Sequence, residues 1–307
     1  MSFSLTILGS NSALPTSDRY PSAQILNVSE RFFLIDCGEG TQMQLRRNHV
    51  KLTRIHHAFI SHLHGDHCFG LIGLISTLGL LGRKLPLTIH APKPFEQLLT
   101  PWLKFFCDKL PFQVCFNMIK GKELTTIFED DKVMVQSFPL EHRIETFGFL
   151  FVEKPSEPNI KKECIKLYKL SIAEIVKIKK GADLKLDDDT IVPNNALIHD
   201  QPKPRSFAYC SDTRYMSNLA SFIQNVDLLY HEATFLDSEM NLAIKTFHST
   251  AKQAAQVAKD VKANQLIIGH YSSRHKDLNL YLNEAREEFS NTELALEGVT
   301  FEVERKV

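Results

Sequence analysis

The sequence predicts a layered α/β protein in which short apolar strands alternate with helices. Short apolar runs recur along the chain and end in turn residues, which is typical of strands. Longer segments between them have the apolar spacing or the length of helices. Ionisable side chains directly follow several of the strands, so we expect the chemistry to lie on loops at a sheet edge.

The predicted elements run through the whole chain. Strands are predicted at residues 3–8, 23–26, 32–35, 58–60, 87–90, 112–119, 133–138, 147–152, 207–210, 226–230, 265–268 and 299–303. Helices are predicted at residues 41–47, 71–81, 94–106, 219–224, 251–261 and 278–289. Pro94 favours the first turn of its helix, and Ser249 or Thr250 is expected to cap the helix that begins at Ala251.

Composition is typical of a soluble globular protein, with 307 residues, 43% hydrophobic and 23% charged. The 36 basic and 36 acidic residues cancel, so RNA binding would need a local basic patch or a metal site. Six cysteines without a CxxC pair indicate reduced thiols. No basic, apolar leader and no bilayer-length apolar run is present. We therefore expect a cytoplasmic protein without a membrane partner.

The segment from residue 61 to residue 67 carries four potential metal ligands: His62, His64, Asp66 and His67. Neutral imidazoles and a carboxylate this close together suit zinc. A solvated histidine-rich loop is the alternative, but the strand before and the glycine-rich apolar helix after would hold this loop rigidly. Asp36, after an earlier strand, could either support the ligands or form a plain turn.

Further ligand candidates recur one to three residues after predicted strands. The side chains in such positions are His62, His142, Asp212, His231 and His270. A two-metal site follows if the 61–67 segment serves both ions, His142 and His270 complete the two ligand sets, and the Asp212 carboxylate bridges them. Two ions about 3.5–4 Å apart suit displacement at a phosphodiester and lower the pKa of a bound water.

These motifs resemble the metallo-β-lactamase superfamily, whose fold is a four-layer αββα sandwich. More closely, they resemble the bacterial short form of ribonuclease Z. The segments that carry the closer resemblance are 8–10, 36–42, 61–70, 211–213, 231–235, 248–250 and 269–270. The resemblance covers nearly the whole chain, and the HEAT segment at 231 and the HST segment at 248 are the specific parts.

The resemblance implies an endoribonuclease with two zinc ions per subunit. It would cleave precursor tRNA at the 3′ side of the acceptor stem by metal-activated water attack and leave a 3′-hydroxyl. Asp66 would be both a ligand and the proton acceptor for the attacking water. His248, paired with Glu232, would protonate the leaving group or hold the phosphate. His231 and Arg274 would be supporting residues, Arg274 on the substrate side.

Residues 154–205 differ from the rest and are interpreted as an arm inserted in a single domain that spans residues 1–307. The part from Lys161 to Lys180 holds seven lysines and two acids. The arm resembles the family's flexible tRNA-clamping exosite, so Lys177, Lys179 and Lys180 are expected to bind the substrate. The resemblance also implies a homodimer. A tolerated surface insertion with solvated lysines is the alternative.

Two other functions stay open from the residues alone. The same metal scaffold could hydrolyse small phosphodiesters, which would need neither the lysine-rich arm nor the His248–Glu232 pair. A non-catalytic RNA-binding scaffold would not need a complete ligand set with Asp66.

Overall fold

A computed structural model describes residues 2–107 and 109–305, which form two compact units. Within the described residues, the first unit comprises 2–152 and 205–303, and the second comprises 153–204 and 304–305. None of the described helices has the length and apolar character needed to cross a bilayer.

The bounds of the elements are as follows. The strands are β1 (Phe3–Gly9), β2 (Ala23–Val28), β3 (Arg31–Ile35), β4 (Ile55–Phe59), β5 (Leu87–Pro92), β6 (Val114–Ile119), β7 (Thr125–Glu129), β8 (Val133–Leu140), β9 (Thr146–Glu153), β10 (Leu184–Lys185), β11 (Ile191–Val192), β12 (Ser206–Cys210), β13 (Leu228–Glu232), β14 (Gln265–Gly269), β15 (Thr292–Leu294) and β16 (Thr300–Glu302). The helices are α1 (Thr41–Arg47), α2 (Gly65–Cys68), α3 (Gly70–Leu80), α4 (Pro94–Phe106), α5 (Lys162–Leu167), α6 (Ile172–Lys179), α7 (Asn194–Leu197), α8 (Met240–Thr246), α9 (Ala251–Asp260) and α10 (Asn279–Glu288).

The first unit contains two seven-stranded mixed sheets. Their strand orders are β16-β1-β2-β3-β4-β5-β6 and β15-β14-β13-β12-β9-β8-β7. In the first sheet β3 to β6 run parallel, and in the second β12 to β15 run parallel. The carboxyl ends of parallel strands share one edge of a sheet, so the loops after β4, β12, β13 and β14 can gather side chains into one site.

Three apolar clusters show that the sheets and helices of this unit form four layers. Aromatic residues of both sheets, among them Phe59 and Phe149, pack between the sheets with ring centroids 5.5 Å apart. A second cluster joins the outer face of the first sheet to α1, α3 and α4. A third joins the outer face of the second sheet to α9 and α10. The αββα sandwich expected from the resemblance is therefore confirmed.

Local signals explain where several helices begin. Pro94 lies in the first turn of α4, as predicted. Thr250 caps α9, and its side-chain oxygen accepts a hydrogen bond of 3.2 Å from the backbone N–H of Gln253. In α3 one face is buried, whereas Leu80 at its end is 87% exposed. The end of α3 therefore faces solvent although its sequence is apolar.

Two further expectations differ from the structure. The helix predicted at 219–224 is only a 3-10 turn, Leu219–Ser221, because Asn225 takes a left-handed conformation (φ 52°) that turns the chain toward β13. His231 lies within β13 and not after it, since this strand extends to Glu232. Strands β2 and β3 pair antiparallel.

The second unit has a small core of its own. Ile178 of α6, Leu197 of α7 and Leu184 of the β10–β11 hairpin are buried and pack together with Ile160 and Leu170. A capping box starts α6: Ser171 accepts from the backbone N–H of Glu174, whose carboxylate accepts from the backbone N–H of Ser171. The residues Ile172–Lys179 form this helix.

Candidate metal centre

One group of four side chains converges at the carboxyl edge of the first unit's sheets. The nitrogens His62 Nε2 and His64 Nδ1 lie 2.9 Å apart, and His142 Nε2 lies 3.3 Å from His64 Nδ1. Asp212 Oδ2 is 3.4 Å from His62 Nε2 and 3.8 Å from His142 Nε2. Three imidazoles and one carboxylate oxygen thus surround one position.

A second group of four lies beside the first and shares Asp212 with it. His67 Nε2 is 3.3 Å from Asp66 Oδ2 and 3.3 Å from Asp212 Oδ1. His270 Nε2 is 3.4 Å from Asp66 Oδ2 and 3.2 Å from Asp212 Oδ1. The Asp212 carboxylate therefore turns one oxygen toward each group, as a bridging ligand would.

The chemistry of both groups fits a divalent metal. Within the described part of the chain, the buried atoms His67 Nε2 and Asp212 Oδ1 have no hydrogen-bond partner, an arrangement that costs free energy unless something binds there. Burial lowers the pKa of His62 below its usual value and lowers those of His64 and His142 to about 4. Their imidazoles are thus neutral with a lone pair available, the state in which histidine binds a metal.

Asp66 remains ionised in this setting. Burial alone would raise its pKa, but the neighbouring His67 and His270 outweigh burial and lower the pKa below its usual range. A carboxylate with a low pKa is a good ligand and a weak base.

A buried carboxylate orients two imidazoles of the 61–67 segment. His67 Nδ1 donates a hydrogen bond of 2.7 Å to Asp36 Oδ2, and His62 Nδ1 donates to Ser61 Oγ at 3.1 Å. Ser61 Oγ in turn donates to Asp36 Oδ2 at 2.9 Å, and Tyr209 Oη donates to the same oxygen at 2.6 Å. Asp36 (φ 54°) thus supports the ligand loop and is not a plain turn residue.

A second buried carboxylate, Glu232, orients the imidazoles on the other side. His248 Nδ1 donates to Glu232 Oε1 at 2.8 Å. His270 Nδ1 donates to Thr234 Oγ1 at 2.8 Å, and Thr234 Oγ1 donates to Glu232 Oε2 at 2.7 Å. Burial alone would lower the pKa of His248, but the Glu232 carboxylate overrides it and raises the pKa to about 9.

The backbone at the end of α8 brings His248 into the site. Phe247 takes the left-handed conformation (φ 59°), which ends the helix and turns the next residue inward. The carbonyl oxygen of Phe247 accepts a hydrogen bond of 2.9 Å from His142 Nδ1. The same turn therefore fixes the tautomer of His142 and positions His248.

A cleft of about 710 Å³ opens onto these residues. Its walls carry two guanidinium groups, Arg143 and Arg274, together with Glu39 and the exposed apolar side chains Leu14 and Phe69. Arg274 packs over the ring of Phe235 at 5.9 Å. A ligand that combines a phosphate with apolar or aromatic surface would match this lining.

The structure brings together all the side chains predicted as ligands or catalytic groups, namely His62, His64, Asp66, His67, His142, Asp212, Glu232, His248 and His270.

The remaining predicted residues lie elsewhere. Arg274 lies on the wall of the same cleft, whereas Lys177, Lys179 and Lys180 lie at the end of α6 in the second unit. His231 is buried in β13, and its Nδ1 donates to the carbonyl oxygen of Glu232 at 2.7 Å. Sequence reasoning missed the roles of Ser61, Thr234 and Phe247, although Ser61 and Thr234 lie within motif segments and Phe247 directly precedes one.

Comparisons with known proteins identify similar families, relatives and solved structures. A family model described as Anti-Pycsar protein Apyc1 matches residues 3–154, and one described as a beta-lactamase superfamily domain matches residues 185–271. The chain is 48% identical over 302 residues to Ribonuclease Z of Phocaeicola vulgatus, covering 98% of both chains. It is 48% identical to Ribonuclease Z of Bacteroides thetaiotaomicron, covering 97% of this chain and 94% of the relative. The crystal structure of human tRNase Z, short form, is similar with a TM-score of 0.72 and 26% identity, covering 98% of this chain and 99% of that one.

Proposed function

The chain belongs to the ribonuclease Z family, and on that premise we propose that it cleaves precursor tRNA at the 3′ side of the acceptor stem with two zinc ions. As a member of this family it is an endoribonuclease of tRNA 3′ processing. The proposal concerns the metal, the number of ions and the role of each residue.

The position of Asp212 is the observation that carries the proposal. Its two oxygens lie 3.2–3.8 Å from four imidazole nitrogens that belong to two separate groups. His62, His64 and His142 would hold one ion, and Asp66, His67 and His270 would hold the other. Nitrogen donors with few carboxylates favour zinc over magnesium or calcium. Two such ions would lower the pKa of water and stabilise the charge on a phosphodiester.

Asp66 and His248 would have different roles in the reaction. Asp66 would bind the second metal ion in its ionised form. The low pKa of Asp66 makes it a better ligand than proton acceptor. His248 has its Nδ1 engaged with Glu232, so its Nε2 is the atom that would protonate the leaving oxygen or hold the scissile phosphate. The raised pKa of about 9 keeps His248 protonated at neutral pH, as either role requires.

Substrate binding is assigned to basic groups at two places. Arg274 lies on the cleft wall beside Ser272, where it would contact a phosphate. Lys177 and Lys180 are exposed at the end of α6. The Nζ atom of Lys179 lies 3.7 Å from Oε2 of Glu157. These lysines would bind the tRNA backbone through electrostatic attraction that depends on salt.

The proposal is tested by incubating the protein with a precursor tRNA and with a small chromogenic phosphodiester, first with zinc and then with chelator. We expect chelator-sensitive cleavage at the junction of acceptor stem and trailer, with a 3′-hydroxyl on the tRNA. Metal analysis of the purified protein should give two zinc ions per subunit. Turnover of the small ester without RNA cleavage would point to a small-molecule phosphodiesterase, and no turnover of either to a non-catalytic RNA-binding protein.

Asp66→Ala is the matched variant for this assay. Because it removes one ligand from the second group, we expect both activities to disappear and the zinc content to fall. Retention of full activity on either substrate would contradict the role assigned to Asp66.

The proposal also includes a homodimer in the cytoplasm, where precursor tRNA would be met. Light scattering of the purified protein should give the mass of two chains of 35.0 kDa each. A monomer at working concentration would contradict this part of the proposal alone.

A further inference from the structure

Phe69 is an exposed aromatic residue at the mouth of the metal-centre cleft. It lies between α2 and α3, three residues after Asp66, and its side chain is 66% exposed. The large aromatic residues of the two sheets are mostly buried, and burying a phenylalanine side chain normally stabilises a fold. An aromatic ring left open beside a reactive centre therefore suggests a binding surface.

The ring of Phe69 lies against the backbone of Gly65. A Cβ atom added to Gly65 would lie 2.3–2.7 Å from three carbons of the Phe69 ring, closer than any real contact. The ring thus rests against the backbone of the ligand segment at a position that only glycine leaves free.

The surroundings of the ring match a nucleotide. The exposed apolar side chain of Leu14, 65% exposed, shares the cleft with Phe69. The guanidinium groups of Arg143 and Arg274 line the same cleft, as do the candidate ligands His64 and Asp66. Apolar surface for a base and cationic groups for phosphates therefore lie within one cavity of about 710 Å³.

Resting on the function proposed above, we propose that Phe69 is the stacking platform for an unpaired base next to the scissile phosphate. Cleavage at the end of the acceptor stem places the scissile bond beside the unpaired nucleotides of the trailer, and proteins commonly bind unpaired bases by stacking them on aromatic rings. The ring would hold the base, and thereby the phosphate, in a fixed position relative to the two ligand groups.

The test is a double-mutant cycle between the protein and the RNA. Phe69→Ala and wild-type protein, both with zinc, cleave a precursor tRNA with a normal base or an abasic nucleotide at each position flanking the scissile bond. Removal of the stacking ring should lower kcat/KM about ten-fold in Phe69→Ala on the intact substrate. At one flanking position, the abasic substrate should lower wild-type cleavage by the same factor and Phe69→Ala cleavage no further.

Two further variants control for structure. Phe69→Trp preserves an aromatic face and should retain cleavage together with sensitivity to the abasic position. Phe105→Ala removes a ring on α4 that is 79% exposed and does not line the cleft, and it should cleave as wild type does.

Three outcomes would overturn the inference. Additive losses at both flanking positions would show that Phe69 does not contact either base. A change of oligomeric state in Phe69→Ala without coupling would show that the ring packs against a second copy of the chain. Failure of wild-type protein to cut the intact precursor would refute the proposed function and this inference with it, and it is distinguished from the first two outcomes because they require active wild-type protein.

Discussion

At the scale of single residues, each of two buried carboxylates holds one imidazole directly and another through a hydroxyl group. Asp36 accepts from His67 directly and is connected to His62 through Ser61. Such partners fix the tautomer of a metal-binding histidine and its orientation, so the hydroxyl is part of the site even though it touches no ligand position.

The arrangement around Glu232 also connects a candidate metal ligand with the candidate proton donor. Thr234 Oγ1 lies between His270, a candidate ligand, and Glu232, which also holds His248. The sequence could point to His270 and His248 because each is an imidazole near a recognisable motif. It could not point to the hydroxyl, because Thr234 and His270 are 36 residues apart and meet only when β13 and β14 pair.

Thr234→Val tests this residue, since valine has the same shape without the hydroxyl. We expect zinc binding to weaken about 10- to 100-fold, because His270 loses the acceptor that fixes its tautomer. The measurement is competition for zinc with a chromogenic chelator, which does not depend on activity. Thr234→Ser keeps the hydroxyl and should restore most of the affinity. Equal zinc affinity in the valine variant and the wild type would show that Thr234 does not orient His270.

At the scale of elements, α3 packs closely against the loop that carries Asp36. A Cβ atom at Gly70 would lie 2.0 Å from the carbonyl oxygen of Gly38, so α3 can start there only with glycine. The backbone N–H of Gly70 also donates to the carbonyl oxygen of Cys37 at 2.9 Å. This contact fixes α3, and with it the 61–67 segment, against the loop that supports His67.

Gly70→Ala should therefore destabilise the protein by roughly 1–3 kcal/mol, because the helix must move away from the backbone of the loop. Gly73→Ala is the matched control in the same helix. Its Cβ would meet the flexible side chain of Gln42, which can move aside, and alanine favours a helix by about 1 kcal/mol over glycine. Urea unfolding should show the loss in the first variant and near wild-type stability in the second. Equal stabilities would contradict the tight contact.

How far the elements could be predicted depends on whether their signals are local. The bounds of α1 and α4 agree with the prediction, and in α4 the start is marked by proline. Strand β7 was not predicted, because as an edge strand it exposes most of its residues and lacks an apolar alternation. The turn at 219–221 has the apolar spacing of a helix. The chain leaves the helical conformation at Asn225, whose φ is positive and whose backbone N–H donates to the carbonyl oxygen of Val261.

Three polar side chains on neighbouring strands of the first sheet give the fold a dependence on pH. Asn117 Nδ2 donates to His90 Nδ1 at 3.0 Å, which leaves His90 Nε2 to donate to His57 Nδ1 at 3.1 Å. His90 also stacks on Phe59, with ring centroids 4.3 Å apart. Burial lowers the pKa of His90 to about 3 and that of His57 to about 4, so both are neutral in the folded protein.

We predict that these histidines reduce stability in acid. The unfolded chain takes up their protons below a pH of about 6.5, whereas the folded protein takes them up only near pH 3–4. The free energy of unfolding should therefore fall as the pH is lowered from 7 toward 4, by at most about 1.4 kcal/mol per pH unit for His90. Unfolding is measured in chelator at pH 7 and pH 5, so that metal binding does not contribute, and comparison with a variant at His90 separates its effect from that of the other histidines.

His90→Gln should be less stable than wild type at pH 7 but lose less stability on going to pH 5. The control is His49→Asn, at an exposed position whose positive φ of 56° asparagine tolerates, and it should keep the wild-type pH dependence. An unchanged difference between pH 7 and pH 5 in His90→Gln would show that His90 does not carry this effect.

At the scale of the whole molecule, a chain without net charge acts on a polyanion. The 36 basic and 36 acidic residues leave no overall field that would attract RNA. The excess of lysines between residues 161 and 180 places positive charge locally on this part of the second unit, where Lys177 and Lys180 are exposed. The catalytic step and the affinity for RNA should therefore depend on different units.

Removal of residues 154–204 tests this separation. Val152 of β9 pairs with Ser206 of β12 in an antiparallel register, so an Asn-Gly turn can join the two strands without disturbing the second sheet. The small phosphodiester, which needs only the metal centre, should be hydrolysed at the wild-type rate. Cleavage of precursor tRNA should fall at least about ten-fold in kcat/KM, because the lysines no longer neutralise phosphates.

Charge reversal in the intact protein separates the lysines from the rest of the second unit. Lys177→Glu with Lys180→Glu should weaken tRNA binding and make the plot of log affinity against log salt shallower by about 0.7–0.9 for each phosphate that the lysines no longer neutralise. Lys120→Glu with Lys122→Glu changes the net charge equally on an exposed loop of the first unit, so it controls for the global effect of charge. If both pairs weaken binding by the same factor, the affinity follows net charge and not the position of the lysines. If neither pair does, but removal of residues 154–204 still does, the second unit binds the tRNA through groups other than these two lysines.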